Sequence, residues 1–259
     1  MQKLIGKTAI VTGASRGIGR AIAVRLAKER ARTVLSARDA AALGATVREI
    51  EETGGIAAAI PLDLRMPDAP GRLADFAREK FDRIDIVINN AGATKRGEFS
   101  ELTEDDWADG FALKFFCMVR LTRAAWPDLK ASCGSIVNIS GIGGRTPGAQ
   151  FTIGGSVNAA MLSFTKAMAE NGLRDGVQVN AVNPGTVRTE RFEKRLANYA
   201  AEERIALEAA ERHFIAREKI TRVGEPEDIA NLVAFIVGAE GRFLHGALID
   251  MDGGATKTI

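Results

Sequence analysis

Residue types that commonly carry catalysis or bind metals are scarce in this chain. Its 259 residues include one tyrosine, Tyr199, together with two histidines and two cysteines. Cys117 and Cys133 lack the spacing of metal ligands, so we expect no metal site and reduced thiols in a cytoplasmic protein. His213 and His245 lie far apart in the sequence, and we expect both to be structural rather than catalytic.

Long apolar runs and a strong excess of one charge are also absent. No run approaches the ~18 apolar residues of a membrane span, and residues 1–7 lead into the first strand without the apolar stretch of a signal peptide. The formal net charge of +2 is too small to indicate binding to nucleic acid or to a membrane surface. We therefore expect neither a nucleic-acid partner nor a membrane partner.

What is present alternates between short apolar strands and longer helical patterns. Apolar residues make up 46% of the chain, which suits parallel strands buried on both faces. The length fits one α/β domain spanning residues 1–259, with a doubly wound parallel sheet. The predicted strands are residues 8–11, 33–36, 56–60, 84–89, 135–139, 177–183 and 247–249, and the later helices include 67–81, 104–129, 151–171 and 225–237.

The most informative segment joins the first predicted strand to the first predicted helix. Residues 8–11 form a β-branched run, glycines follow at Gly13, Gly17 and Gly19, and a helical apolar pattern begins at Ile18. Glycine permits close approach of the backbone, and the unpaired N–H groups of a helix N-terminus attract an anion. Glycines also occur in plain strand-to-helix turns. Because a strand and a helix flank them here, we interpret the segment as a dinucleotide phosphate site.

Four ordered motifs make the chain resemble one family. Thr-Gly-Ala-Ser-Arg-Gly-Ile-Gly spans residues 12–19, Asn-Asn-Ala-Gly residues 89–92, Asn-Pro-Gly-Thr-Val-Arg-Thr residues 183–189 and Asp-Met-Asp-Gly-Gly residues 250–254. In this order they resemble the short-chain dehydrogenase/reductase family over nearly the whole chain. The resemblance implies a Rossmann-type doubly wound sheet of seven parallel strands and a nicotinamide cofactor. It also implies a homo-oligomer, either a tetramer or a dimer.

The resemblance also indicates the cofactor-binding residues. They are Gly13, Ser15, Arg16, Gly17, Ile18, Gly19, Arg38, Asp63, Leu64, Asn90, Ala91, Gly92, Pro184, Gly185, Thr186, Val187 and Thr189. An acidic residue after the second strand binds the adenosine ribose, whereas a cation there accommodates a 2′-phosphate. Ala37 occupies the acidic position, Arg38 follows it, and Arg16 is a second cation. We therefore expect NADP(H) to be favoured over NAD(H); the alternatives are that the arginines are solvated and that nearby Asp39 binds the ribose.

The catalytic positions depart from the family pattern. The family reaction uses a Tyr-x-x-x-Lys pair on the helix after the fifth strand, a serine at the end of that strand, and an asparagine in the preceding long helix. Alignment of the flanking residues places Gly154 at the tyrosine, Asn158 at the lysine and Gly141 at the serine. Lys114 falls at the asparagine position. All of the expected residues are therefore absent.

The lysine and asparagine positions carry each other's residue. In the family fold the two helices face each other beside the nicotinamide, so the Lys114 ammonium can reach nearly the same volume from the opposite helix. This hypothesis predicts that Lys114 contacts Asn158 or the nicotinamide ribose, and that partial desolvation lowers the pKa of Lys114. The alternative is that Lys114 is a solvated helix lysine and Asn158 a helix-packing residue.

Neighbouring side chains offer no acid equivalent to the missing tyrosine. The hydroxyls of Ser140, Thr152 and Ser156 are weaker acids than an activated phenol. Phe151 matches the longer tyrosine-to-lysine spacing of the enoyl-reductase branch, but it carries no hydroxyl. General acid help would come from Lys114, a water or the substrate itself.

Two further features border the expected substrate pocket. Residues 190–220 are rich in Ala, Glu and Arg and predict one or two helices. Their position matches the family's substrate-covering lid, while subunit contacts and an amphipathic surface insertion are alternatives. Lys95, Arg96 and Arg145 lie in loops beside the pocket, where solvated charges are the favoured interpretation and an anionic substrate is the other.

These observations favour an NADP(H)-binding oxidoreductase with an atypical catalytic centre at Lys114 and Asn158, acting on a small carbonyl, enone or alcohol. Conjugate hydride addition to an activated alkene fits such a centre better than reduction of a simple ketone, because it needs no strong acid. Two alternatives stay open. One is a lyase or isomerase that uses Lys114 as a base, and the other is a catalytically silent NADP(H) sensor.

Overall fold

One sheet of seven parallel strands organises residues 4–258, the part of the chain that this computed structural model describes. The strands are Thr8–Thr12 (β1), Arg32–Ala37 (β2), Ile56–Pro61 (β3), Ile86–Asn89 (β4), Ser135–Ile139 (β5), Gln178–Pro184 (β6) and Leu248–Met251 (β7). Their spatial order is β3-β2-β1-β4-β5-β6-β7. The chain changes direction across the sheet between β1 and β4, which is where sheets of this type bind ligands. The predicted Rossmann-type fold is confirmed.

Helices cover both faces of the sheet. They are Gly17–Lys28 (α1), Ala40–Glu52 (α2), Ala69–Phe81 (α3), Glu104–Gly110 (α4), Cys117–Ser132 (α5), Thr152–Asp175 (α6), Glu190–Glu203 (α7), Leu207–Glu218 (α8) and Pro226–Val237 (α9). Ile22 of α1 and Val233 of α9 belong to the apolar core on one face. Leu73 of α3 and Leu121 of α5 belong to the core on the other. Both cores exclude water from the sheet and fix the strand ends that carry the site.

The helix predicted for residues 104–129 is not one regular α-helix. Between α4 and α5, residues Phe111–Phe116 form a π-helical turn, which contains Lys114. Such turns insert an extra residue into a helix and frequently occur at functional sites. Phe111 and Phe115 pack edge to face beside it, with ring centroids 6.1 Å apart. Sequence periodicity does not distinguish this turn from an α-helix, because both keep apolar residues on nearly the same face.

Other element boundaries differ from the sequence predictions by a few residues. The third helix begins at Ala69 instead of residue 67, and α6 continues to Asp175, beyond residue 171. In residues 190–220 the structure contains α7 and α8, so the predicted helices are confirmed there. These two helices have a small apolar core of their own that includes Phe192, Leu196 and Phe214.

The scarce residue types are placed away from any cluster that suggests metal chemistry. Cys117 is buried and Cys133 exposed, and both are free thiols. His245 Nε2 lies 2.7 Å from the carbonyl oxygen of Ala169, a contact that suits a structural role. Across residues 4–258, the His, Cys, Asp and Glu side chains form no group of three or more that is placed to hold a metal ion. Within the same range, no helix is both long and apolar enough to cross a membrane.

Candidate active site

The turn between β1 and α1 requires glycine. Gly13 and Gly17 have φ values of 67° and 54°, a region of backbone conformation that L side chains rarely adopt. A Cβ atom at Gly19 would lie 2.2 Å from the carbonyl oxygen of Gly13. The turn is therefore too tight for side chains at these positions, as expected where a backbone approaches a pyrophosphate closely.

Asn90, after β4, holds this turn in shape. Its Nδ2 donates to the carbonyl oxygens of Thr12 at 2.9 Å and Gly13 at 3.3 Å. In return, Thr12 Oγ1 accepts from the backbone N–H groups of Asn90 and Ala91 at 2.9 and 3.0 Å. These reciprocal bonds tie the ends of β1 and β4 together at the point where the sheet changes direction. Asn90 and Ala91, predicted to contact the cofactor, thus also support the turn.

The N-terminus of α1 suits an anion. Its N-cap residue, Arg16, makes no side-chain cap hydrogen bond, and the first turn carries no acidic residue. By contrast, α2 is capped by Asp39, whose Oδ1 accepts from the Ala42 N–H at 3.0 Å. Uncapped N–H groups and the helix dipole together favour a bound phosphate. The glycine turn and this helix end therefore fit the pyrophosphate of a dinucleotide.

Two arginines, Arg38 and Arg16, lie near the position expected for an adenosine 2′-phosphate. Arg38 lies at the end of β2 and is exposed, while the carboxylate of the neighbouring Asp39 is engaged as the cap of α2. Arg16 Nη1 forms an ion pair of 2.9 Å with Glu190, and both side chains are exposed. Such exposed pairs contribute little free energy, so Glu190 does not prevent Arg16 from turning toward an anion.

The other predicted cofactor residues lie at the same edge of the sheet. They follow the carboxyl ends of β3, β4 and β6: Asp63, Leu64, Gly92, Pro184, Gly185, Thr186, Val187 and Thr189. The Thr189 methyl group lies 3.2 Å from the place where Gly17 would carry a Cβ, so the β6–α7 loop adjoins the glycine turn. The Leu64 side chain is buried in the core, and Asp63 accepts from the Arg65 N–H at 3.1 Å.

Lys114 reaches from the π-helical turn across to α6. Its Nζ donates to Asn158 Oδ1 at 2.5 Å and to the carbonyl oxygen of Ser140 at 2.7 Å. Asn158 is buried, and Ser140 follows directly after β5. The Ser140 hydroxyl donates to the carbonyl oxygen of Asn158 at 3.1 Å, which joins the strand end to the helix. The structure thus places Lys114 against Asn158. The alternative interpretation, in which Lys114 is a solvated helix lysine, is therefore wrong.

Small residues make room for this arrangement. A Cβ at Gly92 would lie 2.9 Å from Lys114 Cδ, so the aliphatic part of Lys114 passes directly over the backbone of Gly92. A Cβ at Gly141 would lie 3.0 Å from Asn158 Nδ2, and the φ of Gly141 is 151°. Serine at position 141 would therefore crowd the Asn158 amide and strain the backbone. The absence of a side chain at position 141 therefore leaves room for the Asn158 amide.

Phe151 occupies the space beside Gly154. A Cβ at Gly154 would lie 2.0 Å from two atoms of the Phe151 ring, and a Cβ at Gly143 would lie 2.8 Å from the same ring. On its other side the ring faces Arg96, whose guanidinium carbon is 4.0 Å from the ring centroid. The position that the resemblance gives to a catalytic tyrosine is thus a glycine covered by an aromatic ring.

The pocket changes the proton affinity of Lys114. Burial, and secondly the positive charge of Arg191, lowers the pKa of Lys114 to about 7. Desolvation disfavours the charged form of an amine, and the two accepting oxygens offset only part of that cost. At neutral pH both the ammonium and the amine are therefore populated.

Comparisons with known proteins agree with this geometry. The sequence pattern of the family described as short chain dehydrogenase matches residues 7–200, which is most of the chain. An uncharacterized oxidoreductase of Mycobacterium tuberculosis is 33% identical over 258 residues, covering 99% of this chain and 94% of that protein. The chain belongs to the short-chain dehydrogenase family. It is therefore a member of an oxidoreductase family, with the family's fold.

Solved structures place this short-chain dehydrogenase among nicotinamide-binding proteins. The L-sorbose reductase from Gluconobacter frateurii, complexed with NADPH and L-sorbose, has a TM-score of 0.95 at 28% identity, covering 100% of this chain and 99% of that one. A 3-oxoacyl (acyl-carrier-protein) reductase from Agrobacterium tumefaciens with NADP bound has a TM-score of 0.89 at 30% identity, covering 98% and 95%. The similarity extends over whole chains, and so includes the pocket.

The hydroxyls near the pocket differ in their placement. Ser140 is buried and bonded to Asn158, whereas Ser156 is exposed on the outer side of α6. Thr152 Oγ1 is buried without a hydrogen-bond partner among the described residues. Within residues 4–258, only the Ser140 hydroxyl of these three hydrogen-bonds to the lysine–asparagine pair.

Sequence reasoning missed how the pocket is enclosed. Phe151 was considered for a hydroxyl that it lacks, but its function is to fill the space beside Gly154. Arg191, in the predicted lid, was not singled out, although its charge acts on Lys114. The available signal is the position of Arg191, two residues after Thr189, because Thr189 is predicted to lie at the cofactor edge. Lys95 and Arg145 form ion pairs with Asp106 and Asp250, as solvated loop charges do.

Proposed function

We propose that this short-chain dehydrogenase is an NADP(H)-dependent oxidoreductase in which Lys114, positioned by Asn158, exchanges a proton with the substrate. The observation that carries the proposal is the Lys114 ammonium, which donates to Asn158 Oδ1 and to the carbonyl oxygen of Ser140. These bonds hold the ammonium in the pocket. Because Gly141 and Gly154 carry no hydroxyl there, the ammonium is the candidate acid. The lysine–asparagine exchange therefore has a structural basis.

The cofactor edge supports NADP(H). The nicotinamide, when bound, supplies or accepts a hydride. The glycine turn and the uncapped α1 suit the pyrophosphate, Arg38 suits the 2′-phosphate, and Asp39 is committed to capping α2. The NADPH and NADP complexes of the two similar reductases support the same preference. We propose that Arg38 makes the larger contribution, because Arg16 already has Glu190 beside it.

Lys114 is equipped to transfer a proton in either direction. An ammonium has three N–H donors, and two of them are used on Asn158 and Ser140. The third is available to a substrate oxygen, carbon or bridging water. With a pKa of about 7, the group gives a proton during reduction and takes one during oxidation at neutral pH. Asn158 orients the ammonium and does not itself titrate.

The pocket favours substrates that need little polarisation. Gly141 and Gly154 provide no hydroxyl to bind a carbonyl oxygen, and the Phe151 ring fills the space beside Gly154. We propose conjugate hydride addition to an activated alkene, followed by proton transfer from Lys114, in preference to reduction of a simple ketone. The α7–α8 pair, residues 190–220, begins beside the glycine turn and serves as the lid of this pocket.

The test is a turnover assay with purified protein. NADPH and NADH are each offered with a panel of small enones, simple ketones and alcohols, and cofactor absorbance is followed. We expect NADPH to bind more tightly than NADH and enones to react faster than ketones. Turnover of unactivated ketones at rates ordinary for enzymes, roughly 1–10³ per second, contradicts the proposed centre.

Two other outcomes identify the rival functions. Conversion of a substrate without net oxidation of NADPH assigns a lyase or isomerase that uses Lys114 as a base. Tight NADPH binding with no conversion of any compound favours a silent sensor. The lowered pKa of Lys114 supports the base as well as the acid, which is why the assay follows both substrate and cofactor.

Self-association and cytoplasmic location stay predictions. Phe243 is fully exposed and Leu173 is 71% exposed, and such large apolar side chains suit contacts between subunits. We propose a tetramer or a dimer, which sedimentation of the purified protein distinguishes from a monomer.

A further inference from the structure

Three arginines meet at the mouth of the Lys114 pocket. Arg96, in the loop after β4, stacks on Phe151, the ring that covers Gly154. Arg191 and Arg195 lie four residues apart in α7, and side chains at that spacing share one face of a helix. The mouth is thus bordered by the β4 loop on one side and by the lid on the other.

The positive charges of Arg191 and Arg195 act on the neighbouring cations of the pocket. Burial, followed by the charges of Arg195 and Arg191, lowers the pKa of Arg96. Burial also lowers the pKa of Arg195. Arg191 in turn acts on Lys114. All three arginines are exposed, although burial of part of the side chain lowers the pKa of Arg96 and the pKa of Arg195.

Arg188, which precedes α7, differs from this group because three carboxylates neutralise it. Arg188 donates to Glu193 at 3.0 Å, to Glu211 at 2.6 Å and to Glu225 at 3.0 Å. In contrast, no salt bridge within residues 4–258 engages Arg96, Arg191 or Arg195. Glu193, Glu211 and Glu225 are therefore already engaged by Arg188.

Glu218 is a carboxylate that acts on the pKa values of Arg96 and Arg195 without forming an ion pair with either. Glu218 raises the pKa values of Arg96 and Arg195, but it is paired with Arg217 at 3.1 Å. Glu218 thus has a closer cationic partner, Arg217, than Arg96 or Arg195. Like charges in a partly desolvated site are destabilising unless an anion joins them.

We propose that the substrate of this enzyme carries an oxyanion, a carboxylate or a phosphate ester, which Arg96 and Arg191 bind at the pocket mouth with Arg195 behind them. This inference rests on the proposed oxidoreductase function and names its substrate class. Guanidinium groups bind both oxyanions through paired N–H donors. The anion fixes one end of the substrate, and the reacting carbon lies further inside, toward Lys114.

Aromatic rings support two of the three arginines, Arg96 and Arg195. Phe151 supports Arg96 at 4.0 Å, and Arg195 lies over the rings of Phe192 at 5.6 Å and Phe214 at 5.1 Å. Stacking of this kind limits the rotamers that a free arginine would sample, so less conformational entropy is lost when an anion binds. A merely solvated arginine needs no such support.

The test is calorimetric titration of the NADPH-saturated protein, in which the cofactor already fills its own phosphate sites. Malonate, inorganic phosphate and neutral malonamide are titrated separately at constant ionic strength. We expect the anions to bind at least about tenfold more tightly than malonamide, and Arg96→Gln or Arg191→Gln to weaken anion binding by about tenfold or more. Tighter binding of malonate assigns a carboxylate substrate, and tighter binding of phosphate assigns a phosphate ester.

Arg212→Gln is the matched control, since it removes an exposed arginine from α8 of the same lid. Anion binding should be unchanged in that variant, and thermal unfolding checks that each variant folds. Equal binding of malonamide and both anions overturns the inference, as does loss of anion binding in Arg212→Gln to the same extent as in Arg96→Gln. Because the titration needs no turnover, anion binding persists even if the enone assay fails, and the two proposals fail separately.

Discussion

The glycine turn and the Lys114 pocket occupy neighbouring positions at one edge of the sheet, but they differ in what the family pattern has kept. The turn retains its glycines and the hydrogen bonds from Asn90 to the carbonyl oxygens of Thr12 and Gly13, and the helix that follows is uncapped. In the pocket, the positions that the resemblance predicts for the catalytic side chains carry Gly141, Gly154, Asn158 and Lys114 instead. Phosphate binding depends on backbone shape, which few sequences reproduce, whereas proton transfer depends on a functional group that more than one residue can present.

The replacements in the pocket fit one another. Gly141 leaves room for the Asn158 amide, Gly154 lies under the Phe151 ring, and Gly92 lets Lys114 pass. Independent loss of catalytic residues would leave gaps or polar groups without partners. Here the lysine finds two acceptors and each glycine has a side chain against it. This mutual dependence is the reason to regard the pocket as rebuilt.

The largest expected effect comes from removing the ammonium. Lys114→Met keeps the length of the side chain but cannot transfer a proton, so we expect kcat to fall by about 10²–10⁴-fold with the best enone. Lys166→Met, which changes an exposed lysine of α6, is the control. NADPH affinity, measured by fluorescence, should change little in both variants. An unchanged kcat in Lys114→Met would remove Lys114 from the mechanism and leave a water or the substrate itself as the source of the proton.

Sequence reasoning was most successful where backbone geometry is encoded locally. The β-branched run, the glycines and the following helical pattern predicted β1, the turn and α1, and the strand alternation predicted the sheet. The approach of Lys114 to Asn158 was predicted from the exchanged positions, and the contact is present. Its catalytic role stays a prediction.

The remaining features of the pocket depend on contacts between distant segments. Phe151 and Arg96 are 55 residues apart in numbering, and neither residue type indicates that they stack. The π-helical turn is equally hidden, because one inserted residue barely alters the apolar pattern. Arg191 acts on Lys114 only because α7 folds back beside the glycine turn. Such tertiary contacts are not encoded in spacing along the chain.

A second prediction sharpens the cofactor side of the comparison. Arg38→Gln should weaken NADPH binding by roughly 1.5–3 kcal/mol, about ten- to a hundredfold, because a charge-assisted contact to the 2′-phosphate is lost. NADH has no such phosphate, so its affinity should be unchanged. Titration of both cofactors measures the effect, and Arg16→Gln is expected to cost less. Equal loss of NADPH and NADH affinity in Arg38→Gln would show general damage and contradict the assignment.

A third prediction asks whether the pocket residues are coupled. Gly154→Ala should lower the free energy of unfolding by about 1–3 kcal/mol, because its Cβ overlaps the Phe151 ring. With Phe151→Leu in the same chain the penalty should shrink, so the two changes are not additive. Gly71→Ala in α3, where a Cβ meets nothing within 4 Å, is the matched helix control. Additive effects in urea unfolding would mean that Gly154 and Phe151 are independent.

The smallest expected effect is the pH dependence of stability that Lys114 contributes. Its pKa is about 7 in the folded protein and 10.5 as the ordinary value, so between these limits the unfolded chain binds more protons. The free energy of unfolding should therefore rise with pH above about 7, by at most roughly 1.4 kcal/mol per pH unit from this group. Lys114→Met removes the contribution, and Lys166→Met retains it. Urea unfolding between pH 6 and pH 9 compares the variants with the unaltered protein. Only a group whose pKa changes on folding can alter the slope of the free energy of unfolding against pH. Parallel plots for the unaltered protein and Lys114→Met would therefore mean that the ammonium is not desolvated.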